Sequence, residues 1–250
     1  MRRLALPLFA AMIVFVLATP SRADDKAMAI LDKAIAAAGG AENLAKLKAA
    51  SWKAEGTLNF GGNESEFTVS GTTAGPDKMR SEFEGNFGGN PFKAVTVIAG
   101  DKGWRLFAGM PSELDANDLA NEKRNFYLSW TPVALLPLKE AAFQLESAGE
   151  EKVGEKTADV LKITGPDKKD FKLYFDRESG LPVKQVADVI GFMGEEITQE
   201  TTYGEYKNFG DIKRSSLVEI SRDGQKIIEQ TVTEFKSLDK VDDAVFTEPE

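Results

Sequence analysis

The chain contains neither cysteine nor histidine in 250 residues. Without cysteine there is no disulfide framework, no thiol nucleophile and no lipobox residue to carry an acyl anchor. Without histidine, Ser-His-Asp and Cys-His catalysis, His-ligated zinc and the commonest general base near neutral pH all drop out. Any catalysis would have to rest on carboxylates, lysine, tyrosine or serine. Positive charge is scarce as well, with 31 Lys and Arg against 40 Asp and Glu and a net charge of −9. A surface of that sign suits neither nucleic acid nor anionic headgroups, both of which call for basic patches.

Long apolar runs are missing with one exception. Arg2 and Arg3 lead into an apolar stretch from Leu4 to Leu17, followed by "TPSRA". A membrane span needs about 20 apolar residues, so this stretch is short for an anchor, and its basic start and small residues at Ser21 and Ala23 fit a secretory signal peptide cleaved before Asp24. Cleavage would remove three arginines and make the remaining chain, residues 24–250, still more acidic. That chain is expected as a single domain, extracytoplasmic or periplasmic, monomeric, without stable membrane insertion and without a cofactor.

After residue 24 two periodicities succeed one another. Met28, Leu31 and Ile35, with Ala27, Ile30 and Ala34 beside them, recur at helical spacing. The helix ends at Gly39-Gly40, glycine being suited to the left-handed closure, and "AENLAKLKAA" makes a second, shorter helix. From Ser51 the period becomes two. Trp52, Ala54, Gly56, Leu58 and Phe60 alternate with polar neighbours, and so do Phe67, Val69 and Gly71, then Met79, Ser81, Phe83 and Gly85. "KAVTVIA" and "GWRLFA" come next, joined by "GDKG". Between Ser112 and Lys139 the alternation stops: "SELDANDLANEKRNFYLSW" reads as a helix capped by Ser112 or Asp115, and Pro132 and Pro137 break "TPVALLPL" into a short helix or turn. Seven further alternating segments complete the chain. Short loops make consecutive strands antiparallel neighbours. The expected fold is therefore mainly β: a large curled antiparallel sheet of about eleven strands forming an unclosed barrel, with the N-terminal helical pair and the mid-chain helix as its lid.

Motifs with chemical meaning are few. Gly39-Gly40 comes after a helix, whereas a phosphate loop comes after a strand. "SLDK" at Ser237 has the Ser-x-x-Lys spelling, but it ends a strand rather than starting a helix. The doublets Glu195-Glu196 and Asp242-Asp243 are expected among so many acids, and "DANDLANE" lacks the turn glycine of a calcium loop. A stripe of Trp52, Phe60, Phe67, Met79, Phe83 and Trp104 stands out more. On a long curled sheet with few helices to fill it, such a stripe would line an apolar hollow suited to a ligand.

In order, "AIAAAGGAENLAKLKAASWKAEGTL", "GPDKMRSEF", "VTVIAGDKGWRLF", "LYFDRESGLPVKQV" and "VDDAVFTEP" resemble the outer-membrane lipoprotein-sorting superfamily, which includes the periplasmic lipoprotein carrier and its receptor. The resemblance spans nearly all of residues 24–250. It implies an unclosed barrel with a helical lid and carriage of acyl chains without chemistry. Trp52, Leu58, Phe60, Phe67, Met79, Phe83 and Trp104 would then line the ligand site, and Met28, Leu31, Ile35, Gly39 and Gly40 would belong to the lid. One departure concerns the carrier's latch, an Arg before the Pro of the strand-entering turn, for which "TAGPDK" here offers Ala74 and Gly75. The resemblance leaves a second function open, a sensor or regulatory binding module of the same fold. A carboxylate-dependent hydrolase fits the chain least.

Overall fold

The computed structural model describes residues 24–191 and 194–250; the segment assigned to a signal peptide lies outside the described residues. Helices α1 (Asp25–Ala37) and α2 (Ala41–Leu44) come first. Strands β1 (Ala49–Phe60), β2 (Asn63–Ala74), β3 (Lys78–Phe87), β4 (Asn90–Ala99), β5 (Lys102–Phe107) and β6 (Met110–Glu113) come after them. Helix α3 (Ala116–Ala134) then precedes β7 (Gln144–Val153), β8 (Lys156–Thr164), β9 (Asp170–Asp176), β10 (Pro182–Ile190), β11 (Glu196–Phe209), β12 (Ile212–Arg222) and β13 (Gln225–Leu238).

All the strands form one antiparallel sheet in the order β6-β5-β4-β3-β2-β1-β13-β12-β11-β10-β9-β8-β7. The chain meanders outward from β1 to one edge, α3 carries it to the opposite edge, and the return meander ends with β13 beside β1. Edges β6 and β7 are not paired with each other, so the barrel is unclosed, as the periodicity implies. The described residues hold thirteen strands rather than about eleven. One source of the difference is β6, four exposed residues whose edge position demands no alternation. No described helix is long and apolar enough to cross a membrane.

Helix α1 buries Ala27, Ile30, Leu31, Ala34 and Ile35, the stripe read from the sequence, and packs against β7. Asp24 caps its first turn through Ala27 and also accepts the Ser147 amide of β7 at 2.9 Å. At its other end Gly39 and Gly40 take φ of 122° and 86°. A Cβ on Gly39 would stand 2.4 Å from the carbonyl oxygen of Asp211, so the corner is a close approach of backbone to the β11–β12 turn as well as a helix stop. The Lys213 amide donates to the Ala38 carbonyl at 2.9 Å and fixes that contact.

Helix α3 differs from expectation in running through Pro132 to Ala134, where Leu135 closes it at φ 58°. Proline removes the N–H that the carbonyl four residues back would receive. That carbonyl, of Leu128, instead accepts the Gln185 side-chain amide of β10 at 3.0 Å, which allows the helix to continue. The Asp115 carboxylate caps the start through the amides of Asn117 and Asp118. Asp115 is thus the cap, and Ser112 belongs to β6.

Candidate functional site

Helix α3 packs against β4 and β10, and between it and the sheet lies a cavity of about 380 Å³. That volume falls at the lower end of ligand pockets, which span about 300–1,000 Å³. Trp52 of β1, Met79 of β3, Val232 of β13 and Phe126 and Trp130 of α3 supply an apolar half. The indole of Trp52 lies over Gly71, where a Cβ would come within 2.0 Å of its Cζ2. Phe126 and Trp130 stack at 6.5 Å between centroids, and Trp130 meets Phe235 at the same separation.

The other half is polar. Tyr203 and Tyr206 of β11, and Arg214 and Arg222 of β12, line it together with Gln199. An extended strand would send Tyr203 and Tyr206 to opposite faces, since they stand three positions apart. Glu205 between them has φ 46°, a left-handed conformation uncommon for a side-chain-bearing residue, and the break in period lets both tyrosines border the cavity. Two serines of β12 hold the kink across the strands: Ser215 Oγ donates to the Gly204 carbonyl at 2.7 Å, and Ser216 Oγ to the Glu205 carbonyl at 2.6 Å.

Burial controls the titration here. It pushes the phenols of Tyr203 and Tyr206 well above their usual value. It pulls the Arg214 guanidinium down to about 10, with the two tyrosines opposing the shift. The guanidinium carbon of Arg214 sits 4.6 Å from the ring centroid of Phe235, and its Nε donates to the Ser215 carbonyl at 3.3 Å. Arg222 is also lowered by burial, partly offset by Glu195, and its Nε donates to Gln199 at 3.3 Å.

Helix α3 is anchored by a different arginine. Arg124, 4% exposed, donates from Nε to the Asp188 carbonyl at 2.9 Å, from Nη1 to Asp167 at 2.8 Å and to the Tyr127 hydroxyl, and from Nη2 to the Asp170 carbonyl at 3.2 Å. Tyr127 also donates to Asp167 at 2.8 Å. This network ties the helix to β9, β10 and the turn before β9.

Trp52 and Met79 therefore line the cavity as the alternation suggests. Phe67 and Phe83 stack at 4.8 Å on the same sheet face, one alternation farther along β3 from Ser81, which also lines the cavity. Phe83, Phe87, Phe92 and Phe107 continue the series with neighbouring centroids 5.0–6.2 Å apart. Leu58 lies farther along β1, opposite Ser65 and Ile228, and Phe60 ends the strand opposite Asn63. Trp104 departs from the expected stripe. Gly103 and Arg105 pair with Ile98 and Thr96 on the cavity face, so the pleat turns Trp104 outward. There it packs with Val95, Val97, Leu106 and Phe246 of the C-terminal segment. Among the expected lid residues, Leu31 and Ile35 belong to the main core, Met28 is partly exposed and Gly39 and Gly40 form the corner; none lines the cavity, which α3 covers instead.

No protein-family model and no curated protein matches this chain. Solved structures do. A LolA superfamily protein from Nitrosomonas europaea has a TM-score of 0.57 at 13% identity, over 89% of this chain and 97% of that one. A DUF1329 family protein from Desulfovibrio piger gives 0.55 at 12%, over 88% and 97%. A structure described as an outer membrane lipoprotein-sorting protein domain, from Vibrio parahaemolyticus, gives 0.55 at 11%, over 88% and 96%. The chain thus has the fold of the lipoprotein-sorting superfamily, the fold its motif order implies.

Proposed function

We propose that this chain is an exported, non-catalytic carrier that holds the acyl chain of a lipid or lipoprotein, with residues 1–23 as a cleaved signal peptide and residues 24–250 as one domain. The observation that supports this most is the adjacency, on one sheet face, of Ser81 in the wall of the cavity under α3 and Phe83 at the start of the phenylalanine series. Each methylene moved from water into such surroundings contributes about 0.8 kcal/mol, so an extended aromatic track favours a long aliphatic ligand. Carriage of this kind requires no base or nucleophile, in keeping with a chain that has neither His nor Cys.

Native mass spectrometry of the exported protein, with subsequent lipid extraction, tests this reading. The expected result is a co-purifying acyl ligand that disappears in a folded Trp52→Asp variant. A clean apo mass, with no change in tryptophan fluorescence on titration with fatty acids or phospholipids, would refute it.

A further inference from the structure

Resting on the carrier reading, we propose that the ligand is an anionic amphiphile whose carboxylate or phosphate oxygens are received by Arg214 and Tyr203, with its aliphatic tail running past Trp52 toward Phe83. The contrast between two arginines leads to this assignment. Arg124 uses all three nitrogens and faces the carboxylate of Asp167. Arg214 lines the cavity, yet its Nη1 and Nη2 have no hydrogen-bond partner and it forms no ion pair among the described residues. Its neighbours are a phenyl face, one backbone carbonyl and two tyrosines.

Arg214 is partly buried, and a guanidinium half withdrawn from water without a counter-charge is a position that an incoming anion would stabilise. Here it is paired with a second unfilled donor, since the Tyr203 hydroxyl also borders the cavity without a hydrogen bond among the described residues. That phenol is a donor near neutral pH, and burial raises its pKa further. A guanidinium edge presenting two parallel N–H groups, with a hydroxyl beside it, matches the two oxygens of a carboxylate or phosphate. The aromatic half of the same cavity favours an amphiphile over a small hydrated anion, which would leave the cavity-facing surfaces of Trp52 and Trp130 uncovered. The acidic exterior is compatible with this: it disfavours adsorption to anionic membrane surfaces, whereas Arg214 acts inside on a single headgroup.

The test titrates lipid-stripped protein with palmitate, with hexadecanol of equal chain length, and with acetate and inorganic phosphate, at a pH where the acid is ionised. Palmitate should bind at least about tenfold more tightly than hexadecanol, the difference expected from one good charge-assisted contact. Arg214→Met should weaken palmitate binding far more than hexadecanol binding and so erase that preference, and Arg214→Lys should retain part of it.

Equal binding of acid and alcohol, unaffected by Arg214→Met, would overturn the headgroup assignment and leave the carrier reading standing. Acetate or phosphate binding as tightly as palmitate would also overturn it, by showing a small-anion site. Failure of both palmitate and hexadecanol to bind would remove the carrier reading and the headgroup with it.

Discussion

Gln185 donates its side-chain amide to the Leu128 carbonyl at 3.0 Å, the group that Pro132 leaves without an intrahelical donor. The helix covering the cavity is therefore completed by the sheet it covers. Gln185→Leu should leave a buried carbonyl unsatisfied and cost about 1–3 kcal/mol in urea unfolding. In a Pro132→Ala background the restored N–H takes over, and the same substitution should cost less, by a coupling of about 1 kcal/mol. Additive effects in the double-mutant cycle would show the two residues to be independent.

Arg124 anchors the same helix electrostatically. Arg124→Met leaves the carbonyls of Asp188 and Asp170 without their donor and removes one of three donors to Asp167; because water reaches Asp167, the cost should fall below the about 3–5 kcal/mol of a fully buried pair. Burial alone would raise the Asp167 pKa, but the Lys169 amide, Tyr127 and Arg124 outweigh it and hold the carboxyl below its ordinary 3.8. A depressed folded-state value means stability that is complete above the unfolded-state value and lost as pH falls below it toward the folded one. Acid unfolding of Asp167→Asn should accordingly show a shallower loss of stability below about pH 4 than the wild type. An unchanged acid limb would place the titrating group elsewhere.

The fold was legible in the sequence because alternation and short turns constrain a meander almost residue by residue. The stripe Trp52, Gly71, Ser81 appears in the register as neighbours across β1, β2 and β3. The features that eluded sequence reading have local physical causes. Trp104 has the composition of a cavity residue, yet its strand also buries a face against the C-terminal segment, and composition does not distinguish two buried faces. Tyr206 shares the cavity with Tyr203 only because of a positive φ at Glu205, for which the residue type gives no sign. Arg214, within "DIKRSS" at the start of a strand, reads as a solvated charge. Its position under α3 comes from how far the sheet curls, a property of the whole meander. Of the two helical segments expected as lid, the mid-chain helix α3 covers the cavity and the N-terminal one does not, because the apolar stripe of α1 is buried in the main core beside β7.

Gly71 makes room for Trp52. With an added Cβ 2.0 Å from Cζ2, Gly71→Ala should push the indole from its place in the cavity wall. Overpacking of this kind costs about 1–3 kcal/mol. In a background with Trp104→Phe and Trp130→Phe the near-ultraviolet dichroism of Trp52 should change, and acyl-ligand affinity should fall together with it. If dichroism and affinity both persist, the ring's position over Gly71 does not shape the site.

Phe83 tests the path of the tail. If an acyl chain leaves the cavity near Ser81 and runs along Phe83, Phe87 and Phe92, each added methylene should increase affinity until the track ends. At about 0.8 kcal/mol per methylene the gain is close to fourfold for each carbon. Phe83 is only partly buried, so Phe83→Asp should preserve the fold while placing a charge beside Phe67. Short acids that stay within the cavity should then bind as before, whereas the slope of affinity against chain length should flatten at the length that reaches Phe83. A slope identical in the two proteins would mean that the tail leaves by another route, and the phenylalanine series would then belong to the packing of the β2–β5 wing alone.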